Sequence, residues 1–156
     1  MARHFMLYWR PETVERHLAC DFLLRNAGSN QLDRVNAGDT LWIVTTGESY
    51  QLGLAGRLRV GSVVNLAEAK RRLGTEDLWG ARFHALASPS TAQKMRGLSL
   101  AEVAAALRFV GGAIERLTVK DAGEVHPSEL RTMLELSAQS AALLERLWLL
   151  TSLRKN

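Results

Sequence analysis

The chain has 156 residues, 47% of them hydrophobic, and its 20 Lys and Arg residues exceed its 16 Asp and Glu residues to give a formal net charge of +4. This length indicates one globular unit with a full hydrophobic core, and no apolar run reaches the roughly 18 residues that a membrane-spanning helix requires. The single cysteine, Cys20, excludes an internal disulfide bond and a zinc site built from cysteines. We therefore expect a soluble, cytoplasmic protein with no membrane partner.

The N-terminal run from His4 to Trp9 is apolar and aromatic and is followed by Pro11. Proline disfavours helix in the residue before it and suits the first turn of a helix, so the run predicts a strand that ends where a helix begins. Apolar residues then recur at a spacing of four from Val14 to Phe22, which predicts a helix over about Glu12 to Leu24.

A hairpin is predicted in the middle of the chain. Gly38 and Asp39 form a turn signal, and the β-branched and aromatic residues after them predict a strand from Thr40 to Thr46. Gly47 to Ser49 is the predicted hairpin loop, and a long strand from Tyr50 to Val64 follows. Its three internal glycines predict bulges or bends that curl the sheet toward a barrel.

The next segment predicts one helix and one strand. Asn65 followed by Glu68 is a capping pattern, so a helix is predicted to begin there and to end at Gly74. Alternating residues from Arg82 to Ala87 predict a strand. A boundary near Ser88 to Gly97 then divides the chain into a predicted core, residues 1–97, and an extension, residues 98–156.

The extension is predicted to be mostly helical and to pack on the core. A second capping pattern at Ser99 predicts a helix to about Arg108. Two further helices are predicted at Pro127 to Ser137 and at Ala138 to Leu150, because proline suits a helix start and Ser137 suits an N-cap. These helices cover one side of the barrel or form a dimer surface, and the sequence leaves both open.

Motifs of known chemistry are absent from the sequence. The four histidines lie in separate segments without metal-ligand spacing, and there is no glycine-rich phosphate loop and no nucleophile elbow. We therefore expect no metal and no cofactor, and the sequence favours a binding protein over an enzyme.

Aromatic and polar residues give the main indication of a binding site. Trp9, Trp42 and Trp79 lie in or beside the predicted strands, and tryptophan is the best stacking surface for a nucleobase. The run from Ser29 to Gln31 supplies neutral donors and acceptors that suit the edge of an unpaired base. The alternatives are that the tryptophans are core residues and that the polar run is an ordinary turn.

Basic residues are concentrated in the middle third of the chain. We predict phosphate contacts by Arg10, Lys70, Arg71 and Arg82, since cations near a base pocket neutralise the nucleic-acid backbone. The alternative is that they are solvated surface charges.

The order of these features resembles the EVE branch of the PUA-like superfamily, whose relatives include the YTH and ASCH domains. The resemblance covers about residues 4–87. It rests on four motifs, namely Phe5 to Trp9 with Pro11 and Glu12, the loop Ser29-Asn30-Gln31, the run Val35-x-x-Gly38-Asp39-x-Leu41-Trp42, and the strand Leu54 to Val60.

The resemblance implies an α+β fold, a curled β-barrel of about five to six strands flanked by helices. It also implies a pocket that holds a base, often a modified one, in RNA or DNA. Carried over by position, the pocket residues are Trp9, Ser29, Asn30 and Trp42, with Thr45 and Trp79 in addition.

Two other functions stay open from the sequence. One is a small nucleoside-modifying hydrolase of the ASCH type, although the absence of lysine from residues 1–69 counts against a version based on lysine. The other is a protein interaction or homodimerisation module that uses the C-terminal helices.

Overall fold

The computed structural model describes residues 2–20, 23–88 and 90–154, which adopt an α+β fold. In chain order the strands are β1 (His4–Tyr8), β2 (Leu23–Leu24), β3 (Asn26–Ser29), β4 (Thr40–Thr46), β5 (Leu52–Asn65), β6 (Phe83–Ala87), β7 (Gln93–Lys94), β8 (Leu98–Ser99), β9 (Phe109–Val110), β10 (Val119–Lys120), β11 (Glu124–Val125) and β12 (Leu134–Leu136). The α-helices are α1 (Pro11–Cys20), α2 (Leu66–Leu73) and α3 (Ala138–Arg154).

One large mixed sheet organises the fold. Its strand order is β3-β6-β5-β4-β1-β12-β9, and β8 pairs with β5 beside this path. The pair of β1 and β4 is parallel, with Met6 opposite Trp42, whereas the other neighbours in the sheet are antiparallel. Strands β2 and β7 form a separate pair, as do β10 and β11.

The sheet does not close into the predicted barrel. In the described part of the chain, β3 and β9 stand at opposite ends of the strand order and do not pair with each other. Both edge strands are short, and the backbone N–H of Phe109 in β9 donates to the carbonyl of Glu115 in its own following loop at 2.9 Å. The two edge strands therefore cannot form the continuous backbone hydrogen bonding that would close the sheet into a barrel.

Strand β5 joins two parts of the sheet. Its first part pairs with β4 and its second part pairs with β6, and the register shifts between Val60 and Ser62. The residue between them is Gly61, where an added Cβ would lie 2.7 Å from the Ser88 hydroxyl oxygen. The sequence predicted bulges or bends at the glycines of this strand, and the register shift at Gly61 agrees with that prediction.

Both faces of the sheet are covered, so strand β4 is buried along almost its whole length. On one face Trp42 and Val44 pack with Leu144 and Trp148 of α3. On the other face Leu41 and Ile43 pack with core residues that include Leu24 and Ala85. Alternate residues of the strand therefore enter two different hydrophobic clusters.

Several predicted helices are shorter than expected or absent. Helix α1 ends at Cys20, and Leu23–Leu24 is strand β2 instead of its last turn, while Phe22 lies outside the described residues. The predicted helix from Ser99 to Arg108 is wrong, since β8 continues into turns with a short 3-10 helix at Ala104–Ala106. Local hydrogen bonding explains this, because the Ser99 hydroxyl accepts from the Ala101 N–H at 3.2 Å.

The predicted helix from Pro127 to Ser137 is also wrong. A 3-10 turn at Pro127–Leu130 precedes strand β12, which lies between β1 and β9. Two helix caps are confirmed. The Asn65 side chain accepts from the Glu68 N–H at 2.9 Å, and the Ser137 hydroxyl accepts from the Ser140 N–H at 3.2 Å.

The residues after 97 complete the sheet as well as adding a helix. They provide β8, β9 and β12, so strands from both sides of the predicted boundary near Ser88 to Gly97 belong to the same sheet. Helix α3 buries Leu144 and Trp148 and leaves Leu149 and Leu150 exposed. A homodimer or partner contact through this helix stays a prediction.

Over the described ranges, no helix combines the length and apolarity needed to cross a membrane.

Candidate functional site

A wide cleft of about 1490 Å³ opens where β1 and β4 end. Its walls come from the start of α1, the edge strand β3, the hairpin between β4 and β5, and the loop after α2, with Pro127 and Arg131 also contributing. Of the residues predicted from the sequence, the cleft brings together Trp9, Arg10, Ser29, Asn30 and Trp79.

Trp9 is held at the cleft by contacts on two sides. Its backbone N–H donates to the Val44 carbonyl at 2.9 Å, which extends the pairing of β1 with β4 by one residue. Its indole packs against the His17 ring of α1, with centroids 5.5 Å apart and an angle of 47° between the planes. His17 in turn donates from Nε2 to the Leu23 carbonyl at 3.1 Å. The half-buried indole is thus fixed in position before any ligand arrives.

The polar run after β3 is part of the cleft wall and is tied to distant segments. Asn30 accepts through Oδ1 from the Arg82 N–H at 2.7 Å. The Gln31 side chain donates to the Arg131 carbonyl at 2.9 Å and accepts from the Met133 N–H at 2.7 Å. Asn30 is exposed, so its amide nitrogen is a donor that a ligand can reach.

Trp79 lies on the loop between α2 and β6 and is 66% exposed. The bond from Arg82 to Asn30 anchors one end of this loop, and Asp77 lies 3.4 Å from Arg16 of α1 in a solvent-exposed ion pair. An exposed tryptophan on the wall of a cleft stabilises the fold little, and it is well placed to stack on a planar ligand.

A buried histidine supports this loop from below. His84 of β6 is fully buried, and its ring lies over Gly28 of β3, where an added Cβ would be 2.6 Å from the histidine Cε1. Its nitrogens approach the backbone of Trp79 and Ala81 without forming bonds of good geometry. Burial lowers the pKa of His84 below its ordinary value, and the nearby backbone groups oppose this shift only in part. The ring is therefore neutral at pH 7.

Trp42 and Thr45 do not reach the cleft, which corrects the prediction for both. Trp42 is fully buried under α3, donates from Nε1 to Nδ1 of His4 at 3.1 Å and contacts the edge of Trp148. Thr46 is the residue of β4 that lines the cleft. Trp42 lies four positions earlier in the same strand, which places it roughly 13 Å away from that end. The side chain of Thr45 lies on the opposite face of the strand from that of Thr46. Its hydroxyl is buried and has no hydrogen-bond partner among the described residues.

The predicted phosphate contacts are separated by the structure. Arg10 lines the cleft, whereas Lys70 and Arg71 border a different, shallower hollow on α2. Arg71 and Arg72 both hydrogen-bond to Glu68, and these bonds lower the pKa of the Glu68 carboxyl to about 2. Arg82 lies over the Phe83 ring at 6.0 Å and is not among the residues that line the cleft.

Other cleft residues were missed by sequence reasoning. They are Arg16, Arg25, Arg72, Arg131 and Tyr50. With Arg10 included, five arginines line the cleft. Three carboxylates, those of Glu12, Glu48 and Asp77, line it as well, so the lining side chains carry a surplus of two positive charges. No sequence motif marks these arginines, because they come from four separate segments between positions 10 and 131. Across the described chain, no cluster of three or more His, Cys, Asp or Glu side chains is arranged to hold a metal ion.

Comparison of the chain with protein-family models, with curated proteins and with solved structures finds no match.

Proposed function

We propose that this chain is a non-catalytic nucleic-acid-binding module that holds a modified or flipped nucleobase in the cleft. The observation that carries the proposal is that one cleft is lined by two tryptophans, Trp9 and Trp79, by the polar pair Ser29 and Asn30, and by a surplus of arginine. A PUA-like fold of the EVE type is part of this proposal, and the observation in its favour is one large mixed sheet accompanied by helices.

The side chains supply the three interactions that such a ligand needs. An indole ring stacks on any base and contributes about 1–3 kcal/mol per base. The amide of Asn30 and the hydroxyl of Ser29 suit the donors and acceptors along the edge of an unpaired base. Arginines on the cleft wall neutralise phosphates, which makes binding dependent on salt.

The test uses short single-stranded oligonucleotides at low salt, with 5-methylcytosine, 5-hydroxymethylcytosine or N6-methyladenine at the centre and unmodified controls. We expect at least one modified oligonucleotide to bind more tightly than its unmodified control. Trp79→Ala should weaken that binding roughly 5- to 150-fold, the equivalent of one stacked base. Its melting temperature should stay close to that of the wild type, because Trp79 is 66% exposed.

Leu149→Ala is the matched control, since Leu149 is 58% exposed on α3 and does not line the cleft. Equal weakening by both variants, or no binding to any oligonucleotide of the panel, would overturn the proposal.

The hydrolase alternative has less support. The cleft wall contains the carboxylates of Glu12, Glu48 and Asp77, but none of its lining residues is a lysine. Turnover of acylated nucleosides by the wild type, abolished in Glu12→Ala, would establish that alternative in place of the binding module.

A further inference from the structure

Tyr50 is held in an unfavourable backbone conformation at the cleft. It lies in the loop between β4 and β5 with φ of 59°, in the left-handed region that residues with a side chain rarely occupy. Glycine or asparagine is the usual residue in such a turn. The Tyr50 ring is nevertheless 56% exposed, and it lines the cleft.

The hydrogen bonds that Tyr50 makes with other described residues come from its backbone. Its N–H donates to the Gly47 carbonyl at 2.9 Å, and its carbonyl accepts from the Val125 N–H at 2.8 Å. The next residue, Gln51, donates from its side chain to the Ala122 carbonyl at 2.9 Å. These bonds fix the conformation and would form equally with asparagine at position 50. A strained residue whose side chain contributes little to the fold indicates a function for that side chain.

The size of the cleft suggests what the ring contacts. Its volume of about 1490 Å³ is larger than the roughly 300–1,000 Å³ of pockets that enclose a drug-sized ligand. A single base therefore occupies only part of it. Trp9, Trp79 and Tyr50 come from three different segments of the wall and provide three aromatic surfaces. Bases are open to such surfaces in a single strand, since in a duplex they stack on one another.

We propose that the cleft binds a single-stranded segment of more than one nucleotide, and that Tyr50 stacks on a base adjacent to the one recognised by Trp9 and Trp79. This inference rests on the proposed function and adds the substrate class and a second base position.

The experiment is an abasic-site scan. The tightest-binding oligonucleotide of the modified panel, about nine nucleotides long, is prepared with one abasic site at each flanking position in turn. Binding is measured for the wild type, Tyr50→Asn and Ala122→Asn. Ala122 is the matched control, because it is the other described non-glycine residue with positive φ, at 62°, and it does not line the cleft.

We expect Tyr50→Asn to bind the intact oligonucleotide about fivefold more weakly or worse. An abasic site at one flanking position should weaken the wild type by a similar factor and leave the affinity of Tyr50→Asn almost unchanged. Ala122→Asn should bind like the wild type. Both variants should melt at or slightly above the wild-type temperature, because asparagine tolerates the left-handed conformation.

Two results would overturn this inference while the proposed function stands. In the first, the wild type binds and Trp79→Ala does not, but abasic sites weaken the wild type and Tyr50→Asn equally. In the second, both Tyr50→Asn and Tyr50→Gly melt well below the wild type, so that the ring belongs to the fold. If the wild type binds no oligonucleotide of the panel, the proposed function fails, and this inference fails with it.

Discussion

The contact between Gly28 and His84 predicts a specific energetic coupling. In Gly28→Ala the new methyl carbon would lie 2.6 Å from Cε1 and 3.0 Å from Nδ1 of His84, whereas carbon atoms pack best at about 3.5–4.0 Å. The ring must therefore move by about 1 Å. The ring is fully buried and lies close to the backbone of Trp79 and Ala81, so its displacement disturbs the packing around that loop.

The magnitude follows from two opposing effects. Overpacking of this kind costs about 1–3 kcal/mol, while alanine is favoured over glycine within a strand by about 0.5–1 kcal/mol. We therefore expect Gly28→Ala to lower the free energy of unfolding by roughly 0.5–2 kcal/mol. In a His84→Ala background the obstructing ring is gone, and the same substitution should raise the free energy of unfolding by about 0.5–1 kcal/mol.

The assay is urea unfolding followed by tryptophan fluorescence for the wild type, the two single variants and the double variant. Measurement at pH 7.5 keeps His84 neutral, since its pKa is already lowered by burial. A coupling of about 1–3 kcal/mol between the two positions is expected from this cycle. Equal destabilisation by Gly28→Ala in both backgrounds would contradict this expectation, because the methyl group would then clash with something other than the ring.

Three further outcomes are expected. Burial lowers the pKa of His84 from 6.5, so below pH 6.5 the unfolded chain binds a proton more readily than the folded chain does. The free energy of unfolding is therefore highest above pH 6.5 and declines below it by at most about 1.4 kcal/mol per pH unit. Urea titrations from pH 7.5 to 5.5 should show a smaller decline for His84→Ala. Asn65→Ala removes the cap on Glu68 N–H and should lower the free energy of unfolding by about 1 kcal/mol in the same assay, and an unchanged midpoint would contradict it. Arg10→Gln should reduce the slope of log affinity against log salt by about 1, while Lys70→Gln, outside the cleft, should not change that slope.

Local signals predicted the elements whose ends are marked by short-range chemistry. The turn at Gly38 and Asp39 followed by β-branched residues predicted a strand from Thr40 to Thr46, and these are the bounds of β4. The cap at Asn65 likewise predicted the start of α2. In both cases the residues that determine the boundary lie within a few positions of it.

Elements set by distant partners were not predictable in this way. The apolar residues that lead up to Leu134 recur at helical spacing. Leu134–Leu136 is nevertheless a strand, because it pairs with β1 and β9. Trp42 could not be assigned to core or cleft until α3 was known to cover its face. Tyr50 reaches its unusual conformation through a hydrogen bond from Val125, and no pattern near position 50 indicates that bond.

The central position of β1 has a consequence for how the protein is made. β1 lies between β4 and β12, and Phe5 pairs with Glu135, a residue synthesised 130 positions later. A nascent chain that ends before β12 leaves one hydrogen-bonding edge of β1 unpaired, and its apolar face lacks the cover of α3. Pairing between such distant residues also slows folding. β1 is therefore exposed to aggregation until residues 134–154 have been synthesised and have folded onto it.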